Sequence, residues 1–202
     1  MSEPSGKRLK TSFPACKTHR AAPGSGAKQN FPTVVEESLC GVTTFLMEVA
    51  YRLQALAKIF EQDDHALPRV AEFFQRESER EQERAEAMME YLSKRGGQYC
   101  NKDIKRPGCE SVGAVLQALE LTLAQWKEVE GIMVELIQCA KEHGDPHTAS
   151  VVNSRFLCPL VPRVKVLGDL ITSARKAGCT PDGADGFGEY LFNQLQEELT
   201  SA

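Results

Sequence analysis

No apolar run in the 202 residues reaches the ~18–20 positions that a membrane-crossing helix needs, so a spanning segment is not expected. A secretory pattern is also missing, because no apolar stretch follows Lys7, Arg8 and Lys10. The N-terminal segment is rich in Lys, Pro and Gly, which argues against an Arg-rich amphipathic mitochondrial presequence. The seven cysteines (Cys16, Cys40, Cys100, Cys109, Cys139, Cys158 and Cys179) include no Cys-x-x-Cys, are odd in number and are widely spaced. With no export signal, they read as reduced thiols of an intracellular, cytoplasmic protein. Strand signals are absent as well.

What is present fits one domain with a tail. Hydrophobic residues make up 42% and charged residues 26%, enough apolar content for a real core. The net charge of -4 is unevenly spread. Residues 1–30 carry Lys7, Arg8, Lys10, Lys17, Arg20 and Lys28 against Glu3 alone, and they are rich in Ser, Pro, Gly and Ala. Such a stretch has little to bury and is expected to be a disordered basic extension, with the folded domain over 31–202. An acidic body with a basic arm does not fit a nucleic-acid-binding domain. The short basic "GKRLK" at Gly6–Lys10 reads as a solvated tail, with a nuclear signal or phosphate-binding arm as the alternatives.

From Pro32 the pattern becomes helical. Leu39, Val42, Leu46, Val49, Leu53, Leu56 and Phe60 recur at three- and four-residue steps, predicting a helix of roughly 30 residues. Asp63 or Asp64 is expected to cap a second helix with Pro68 in its first turn. That helix carries Val70, Phe73, Phe74, Ala85, Met88, Met89 and Leu92, and stops at Gly96 and Gly97. A connection without helical period, "QYCNKDIKRPGCES", precedes a third helix from about Val112 to Glu142. A fourth is expected from about His147 to Lys176, with a kink or broken turn near Leu157 to Val161, because Pro159 and Pro162 each remove a helical hydrogen bond. After "GCTPDGADG" a short fifth helix carries Phe187, Tyr190, Leu191, Leu195 and Leu199. The predicted fold is all-α, a four-helix bundle whose long crossover lets helices two and three point the same way.

Several stretches, in order and at matching spacing, resemble animal ferritins: "FEQDDHAL", "RGGQYCNKDIKRP", "DPH", "LGDLITSARKAG" and "GEYLF". The likeness runs from about Gln29 to Leu199. It implies a ferritin-like bundle and a subunit of an iron-storage shell, usually of 24 copies, with the fifth helix at a fourfold pore lined by Leu191 and Leu195. It also implies where a dinuclear iron site would lie. The first-helix glutamate falls on Leu46 and its nearby tyrosine on Leu53. The Glu-x-x-His falls on Glu81 and Arg84, the third-helix glutamate on Trp126, and the fourth-helix glutamine on Leu160. Only Glu81 retains a ligand. Arg84 is a cation that proteins do not deprotonate, and it is expected to reach Glu81. The resemblance therefore points to a light-chain-like subunit without ferroxidase activity, and to no enzyme.

"RESEREQERAE", Arg76 to Glu86, holds the remaining candidate metal contacts. Glu79, Glu83 and Glu86 form one helical stripe, which in light-chain ferritins faces the cavity and seeds mineral. Together with Glu81 they are the candidate iron-contacting carboxylates. The competing reading is a salt-bridged face, with Arg76 on Glu79 or Glu83, Arg80 on Glu83 and Arg84 on Glu81, at ~0.3–0.5 kcal/mol for each exposed pair. The family's acidic threefold-pore positions carry Ser150 and Asn153, with Ala149 at a cysteine position. A neutral pore concentrates cations poorly, so a mixed shell with a catalytic ferritin chain is the expected working form. Low occupancy by ferric mineral, and no organic cofactor, follow from the same reading. His143 and His147 read as turn residues, and Trp126 as core filler. Two alternatives stand beside the storage subunit: an architectural or regulatory bundle that has lost iron handling, and an atypical ferroxidase around Glu81 and Glu120.

Overall fold

A computed structural model describes residues 25–99, 103–105, 107–109, 111–184 and 186–195, with the backbone alone at Leu195. The basic segment around "GKRLK", together with Cys16, Cys100 and Leu199, lies outside the described residues. The elements are α1 (Thr33–Glu61), α2 (Pro68–Lys94), α3 (Val115–Glu142), α4 (Pro146–Val152), a π-helical turn (Asn153–Leu157), α5 (Cys158–Lys176) and α6 (Gly186–Leu195). Among the described residues there is no strand. The chain folds as a four-helix bundle in which α4, the π turn and α5 together form the fourth long helix.

The seven periodic apolar residues of α1, Leu39 to Phe60, are fully buried. They pack along α2, where Phe60 stacks on Phe74 with ring centroids 5.7 Å apart. Burying one such side chain contributes on the order of 1.5–3 kcal/mol, so this stripe alone fixes which face of α1 turns inward.

The end of α2 shows why "RGG" stops a helix. Gly96 takes φ +73°, the Gly97 N–H reaches back to the Leu92 carbonyl at 3.0 Å, and the Gly96 N–H bonds that of Ser93 at 2.9 Å. This is a Schellman closure, which needs a left-handed residue. A Cβ at Gly96 would also lie 2.5 Å from the Ser25 hydroxyl. The connection that follows runs alongside α1: the Cys40 thiol donates to the Gln98 carbonyl, the Lys105 N–H to Glu48, and Arg52 to the Pro107 carbonyl. Contacts at 40, 48 and 52 progress along α1, so the connection travels the length of the bundle and α2 and α3 run in the same direction.

Three local expectations need correcting. Neither Asp63 nor Asp64 caps α2. Its N-cap is Leu67, which has no side-chain cap bond. The acceptor comes instead from α6, whose Asn193 side-chain Oδ1 accepts from the Arg69 and Val70 N–H groups at 3.0 and 3.3 Å. Glu189 of α6 does the same for α3, accepting from the Val115 N–H at 2.7 Å.

Second, the distortion caused by the prolines falls on Asn153–Leu157, just ahead of the expected segment. Pro159 cannot donate to the Arg155 carbonyl and its ring crowds it, so the wider π turn relieves the clash upstream. The backbone stays helical throughout, and Pro162 lies inside α5.

Third, residues 25–30 are bound to the bundle. Lys28 pairs with the buried Glu36 at 2.5 Å, and Arg95 donates to the Asn30 carbonyl at 2.8 Å.

α6 turns Glu189, Phe192 and Asn193 into its own bundle and leaves Phe187 69% and Tyr190 57% exposed. Its apolar residues are thus divided between two faces. Polar caps, more than an apolar stripe, tie it down.

Candidate functional site

The middle of the bundle is where the resemblance to ferritins would put a dinuclear site. Leu46, Leu53 and Leu160 are fully buried there, and Trp126 is 2% exposed. They supply apolar walls and no carboxylate. Glu81, on α2, is 0% exposed among them. Isolated, a carboxylate so buried would be strongly destabilising, so it must be paired. Arg84, one turn on, donates from one terminal nitrogen to both Glu81 oxygens at 3.0 and 2.9 Å. Its other terminal nitrogen donates to the Phe156 carbonyl at 2.9 Å. Phe156 belongs to the π turn, so this bond ties α2 to the distorted part of the fourth helix.

A second guanidinium arrives from the opposite helix. Arg163 of α5 contacts Glu81 at 2.8 Å and also donates to Glu77. Glu77, buried one turn before Glu81, takes Arg80 on its other oxygen at 2.6 Å. The Arg163 guanidinium lies 4.5 Å from the centroid of the Trp126 ring, a cation–π contact. Two carboxylates and two guanidiniums thus fill the middle of the bundle, with Arg80 at its edge.

Their acid–base character follows. Burial pushes the Arg84 pKa below the ordinary arginine range, Glu81 opposes this, and the neighbouring Arg163 charge adds to it. For Arg163 burial acts in the same sense, but the Glu81 and Glu77 carboxylates outweigh it and the pKa is raised. Both groups remain cations under ordinary conditions. With Arg84 and Arg163 donating to its oxygens, Glu81 sits in a field that repels a metal ion.

The other candidate carboxylates lie elsewhere. Glu79, Glu83 and Glu86 are exposed on α2. Gln75 donates to Glu79 at 2.9 Å and Gln82 to Glu86 at 3.3 Å. Within the arginine–glutamate ladder Arg84 pairs with Glu81, as expected, and Arg80 pairs with Glu77. Glu120 pairs with Arg175 at the surface at 2.6 Å, away from the buried Glu81. Among the described residues no three His, Cys, Asp or Glu side chains group as a metal site.

Ser150 and Asn153 are exposed at the start of the fourth long helix, and Ala149 is buried. His143 bonds the Cys139 carbonyl as the C-cap of α3, and His147 bonds the Tyr91 hydroxyl at 2.8 Å. The two histidines therefore have separate partners. Cys40, Cys109, Cys139, Cys158 and Cys179 are thiols. No helix among the described residues is long and apolar enough to cross a membrane.

Sequence reasoning overlooked Glu77 and Arg163. Glu77 is four residues before Glu81, on the same face, and Arg163 is three after the buried Leu160. Those spacings were the available signals, masked by a charge run that reads as solvated.

The comparisons agree with this architecture. The ferritin-like domain matches residues 39–177. A soma ferritin of Lymnaea stagnalis is 34% identical over 88% of this chain and 98% of its own length. The ferritin middle subunit of Aquarana catesbeiana is 33% identical over 84% of this chain and 95% of its own. An oocyte-isoform ferritin light chain of Xenopus laevis is 29% identical, over 85% and 95% respectively. With the domain match spanning most of the bundle, and relatives that align almost end to end, the chain belongs to the ferritin family.

Proposed function

We propose that this chain is a structural subunit of an intracellular iron-storage shell and does not itself oxidise ferrous iron. The observation that carries this reading is the arginine closure of Glu81. Ferrous iron oxidation at a paired site needs several anionic or neutral oxygen and nitrogen donors directed inward. Here the positions around Glu81 are leucine, tryptophan and two guanidiniums. The site has exchanged metal binding for ion pairing and packing.

Iron is then cargo, and Glu79, Glu83 and Glu86 are the surface on which a ferric mineral starts. Their exposure supports this. Mineral seeding on three carboxylates held in part by glutamines is weak. The neutral Ser150 and Asn153, exposed where the family lines its threefold pore, support slow entry of iron into a homopolymer. A shell of 24 subunits mixed with a catalytic ferritin chain supplies the missing oxidation and entry steps. The cytoplasm is its place of work.

Stopped-flow oxidation of ferrous iron by the purified homopolymer tests the central claim. Rates equal to the buffer blank are expected, and a burst proportional to subunit concentration would overturn it. Arg84→His alone should not restore activity, because Leu46 and Trp126 still withhold carboxylates. Particle size and iron content, with and without co-expression of a catalytic ferritin chain, test the shell. An iron-free, small particle under both conditions favours an architectural bundle instead.

A further inference from the structure

Arg95 stands where the end of α2, the start of α4 and residues 25–30 meet, and one of its terminal nitrogens is over-subscribed. That nitrogen carries only two hydrogens. Four acceptors surround it: the Tyr91 oxygen at 2.8 Å, the Thr148 hydroxyl at 3.0 Å, Asp145 at 3.1 Å and His147 Nδ1 at 3.4 Å. The other terminal nitrogen holds the Asn30 carbonyl at 2.8 Å. We propose that this junction is a proton-operated latch: a proton on His147 Nδ1 displaces Arg95 from the Tyr91 and Thr148 oxygens and frees residues 25–30 from the bundle.

The wiring carries the proposal. A carboxylate only accepts, so the Thr148 hydroxyl proton is committed to Asp145 at 2.6 Å. The Tyr91 hydroxyl proton has two destinations, His147 Nδ1 at 2.8 Å and the Thr148 oxygen at 2.9 Å. With a neutral imidazole protonated on Nε2, Nδ1 accepts from Tyr91, and the Tyr91 and Thr148 oxygens are left for Arg95. His147 is exposed, so solvent can supply a second proton. Nδ1 then donates to the Tyr91 oxygen, and the Tyr91 proton swings to Thr148. Both oxygens that Arg95 uses thereby gain a competing donor. The new charge also arises 3.4 Å from the Arg95 nitrogen, well inside the ~8 Å over which salt screens.

The geometry around Arg95 decides what gives way. Asp145 is fully buried and fixed as the N-cap of α4. Ser25, Gly26, Ala27, Gln29 and Asn30 are exposed. Asn30 holds φ +47°, a left-handed backbone that L-residues rarely adopt. Its carbonyl is tied by Arg95 and its side chain by the Gly144 carbonyl at 3.0 Å. Arg95 also lies over the Phe31 ring. Losing Arg95 therefore removes the tie at the segment's C-terminal end.

The other ionisable groups on the elements that meet here have partners of their own or face solvent. Lys28 pairs with Glu36 of α1, Glu90 of α2 interacts with Lys94 and Arg155, and His143 of the α3 C-cap bonds the Cys139 carbonyl. Lys141 and Glu142 are exposed at the end of α3. Glu36 is the rival trigger, because its carboxylate also ties the segment down.

Trypsin tests the latch, since Lys28 lies within the segment. Cleavage after Lys28 in the full chain is followed by mass spectrometry, each rate being divided by that of a free peptide of residues 25–32 at the same pH. Between about pH 7.5 and about pH 5.5, where an imidazole changes charge, the normalised rate should rise roughly tenfold. His147→Asn keeps a neutral acceptor near the place of Nδ1 and takes up no proton, so its rate should stay low and flat. Arg95→Gln cuts the tie at its source and should be fast and flat. His143→Gln should keep the parent's rise. If Arg95→Gln does not fold, the parent and His147→Asn decide. A flat profile in the parent overturns the proposal, as does a rise accompanied by cuts after Arg84, which would be global unfolding. An undiminished rise in His147→Asn overturns it too, and moves the trigger to Glu36.

Discussion

Two buried clusters of arginine and carboxylate join the helices, and they follow different rules. Where α2 ends and α4 begins, Asp145 accepts from the Thr148 N–H at 3.0 Å, the Thr148 hydroxyl at 2.6 Å and Arg95 at 3.1 Å. Arg95 in turn donates to Tyr91 and to the Asn30 carbonyl, and lies 4.7 Å from the Phe31 ring centroid. The charges there match one to one, and the aspartate is also an N-cap. In the middle of the bundle two arginines share each carboxylate, and donors on Arg84, Arg163 and Trp126 find no acceptor among the described residues. The end cluster is a joint built for its place. On the proposed reading, the central one puts arginine where a catalytic ferritin chain would hold iron ligands. A buried ion pair therefore says little about stability until its remaining donors are counted.

The comparison breaks most sharply at Glu81. Glu81→Ala leaves Arg84 and Arg163 facing each other in the core, and should cost about 3–5 kcal/mol in denaturant unfolding. Replacing Glu81, Arg84 and Arg163 together with leucine should leave stability at or above that of the parent, as buried ion pairs often yield to apolar packing. If Glu81→Ala cost under ~1 kcal/mol, water would be reaching the cluster and the burial argument would fail.

Asp145→Asn comes next, at about 2–3 kcal/mol, because Arg95 keeps its other partners. Burial works to raise the Asp145 pKa, yet the bonds from Thr148 and Arg95 outweigh it and hold the carboxyl below the ordinary aspartate range. A depressed folded value means that the stabilisation is complete above the unfolded aspartate pKa, ~3.9, and is lost as pH falls through the folded one. Acid titration of stability should show that loss in the parent and a flatter curve in Asp145→Asn.

Asn193 provides the uncharged counterpart, a cap with no ionisable group. Asn193→Ala frees two N–H groups at the start of α2 and should cost about 1–2 kcal/mol. The cost should be the same at pH 4 and pH 7. A cost that grew with acid would mean that Glu189, whose pKa burial raises, carries the docking of α6.

The bundle itself was legible because its evidence is local and repeated. Leu39 to Phe60 keep one phase for seven contacts, and Gly96 stops a helix by its own backbone freedom. The Glu81–Arg84 pair was legible for the same reason, being one turn apart. What escaped were partners joined only by folding. Nothing near Leu67 announces that Asn193, more than a hundred residues later, caps α2. Asp63 and Asp64 have the right chemistry, but they lie within the turn, and α2 starts only at Pro68. Arg163 reads as one more cation until the bundle brings it to Glu77. For α6, spacing alone does not reveal that Glu189 and Asn193, its polar residues, cap α3 and α2.

The smallest expected effect concerns Arg80, at the edge of the central cluster. Its side chain is 41% exposed, so its bond to Glu77 competes with water. Glu77 keeps Arg163 when Arg80 is removed. Two consequences then oppose each other. One screened hydrogen bond is lost, worth at most ~0.5 kcal/mol at such a surface. In return one positive charge leaves the cluster, which relieves Arg84 and Arg163. Arg80→Gln should therefore change stability by less than ~0.5 kcal/mol in either direction. Its sign is informative when measured at low and high salt. If repulsion outweighs the lost bond, the variant gains on the parent at low salt, and the gain shrinks as salt screens it. A loss of several kcal/mol would show instead that Arg80 belongs to the buried pair, and the distinction between a matched and an unmatched cluster would have to be redrawn.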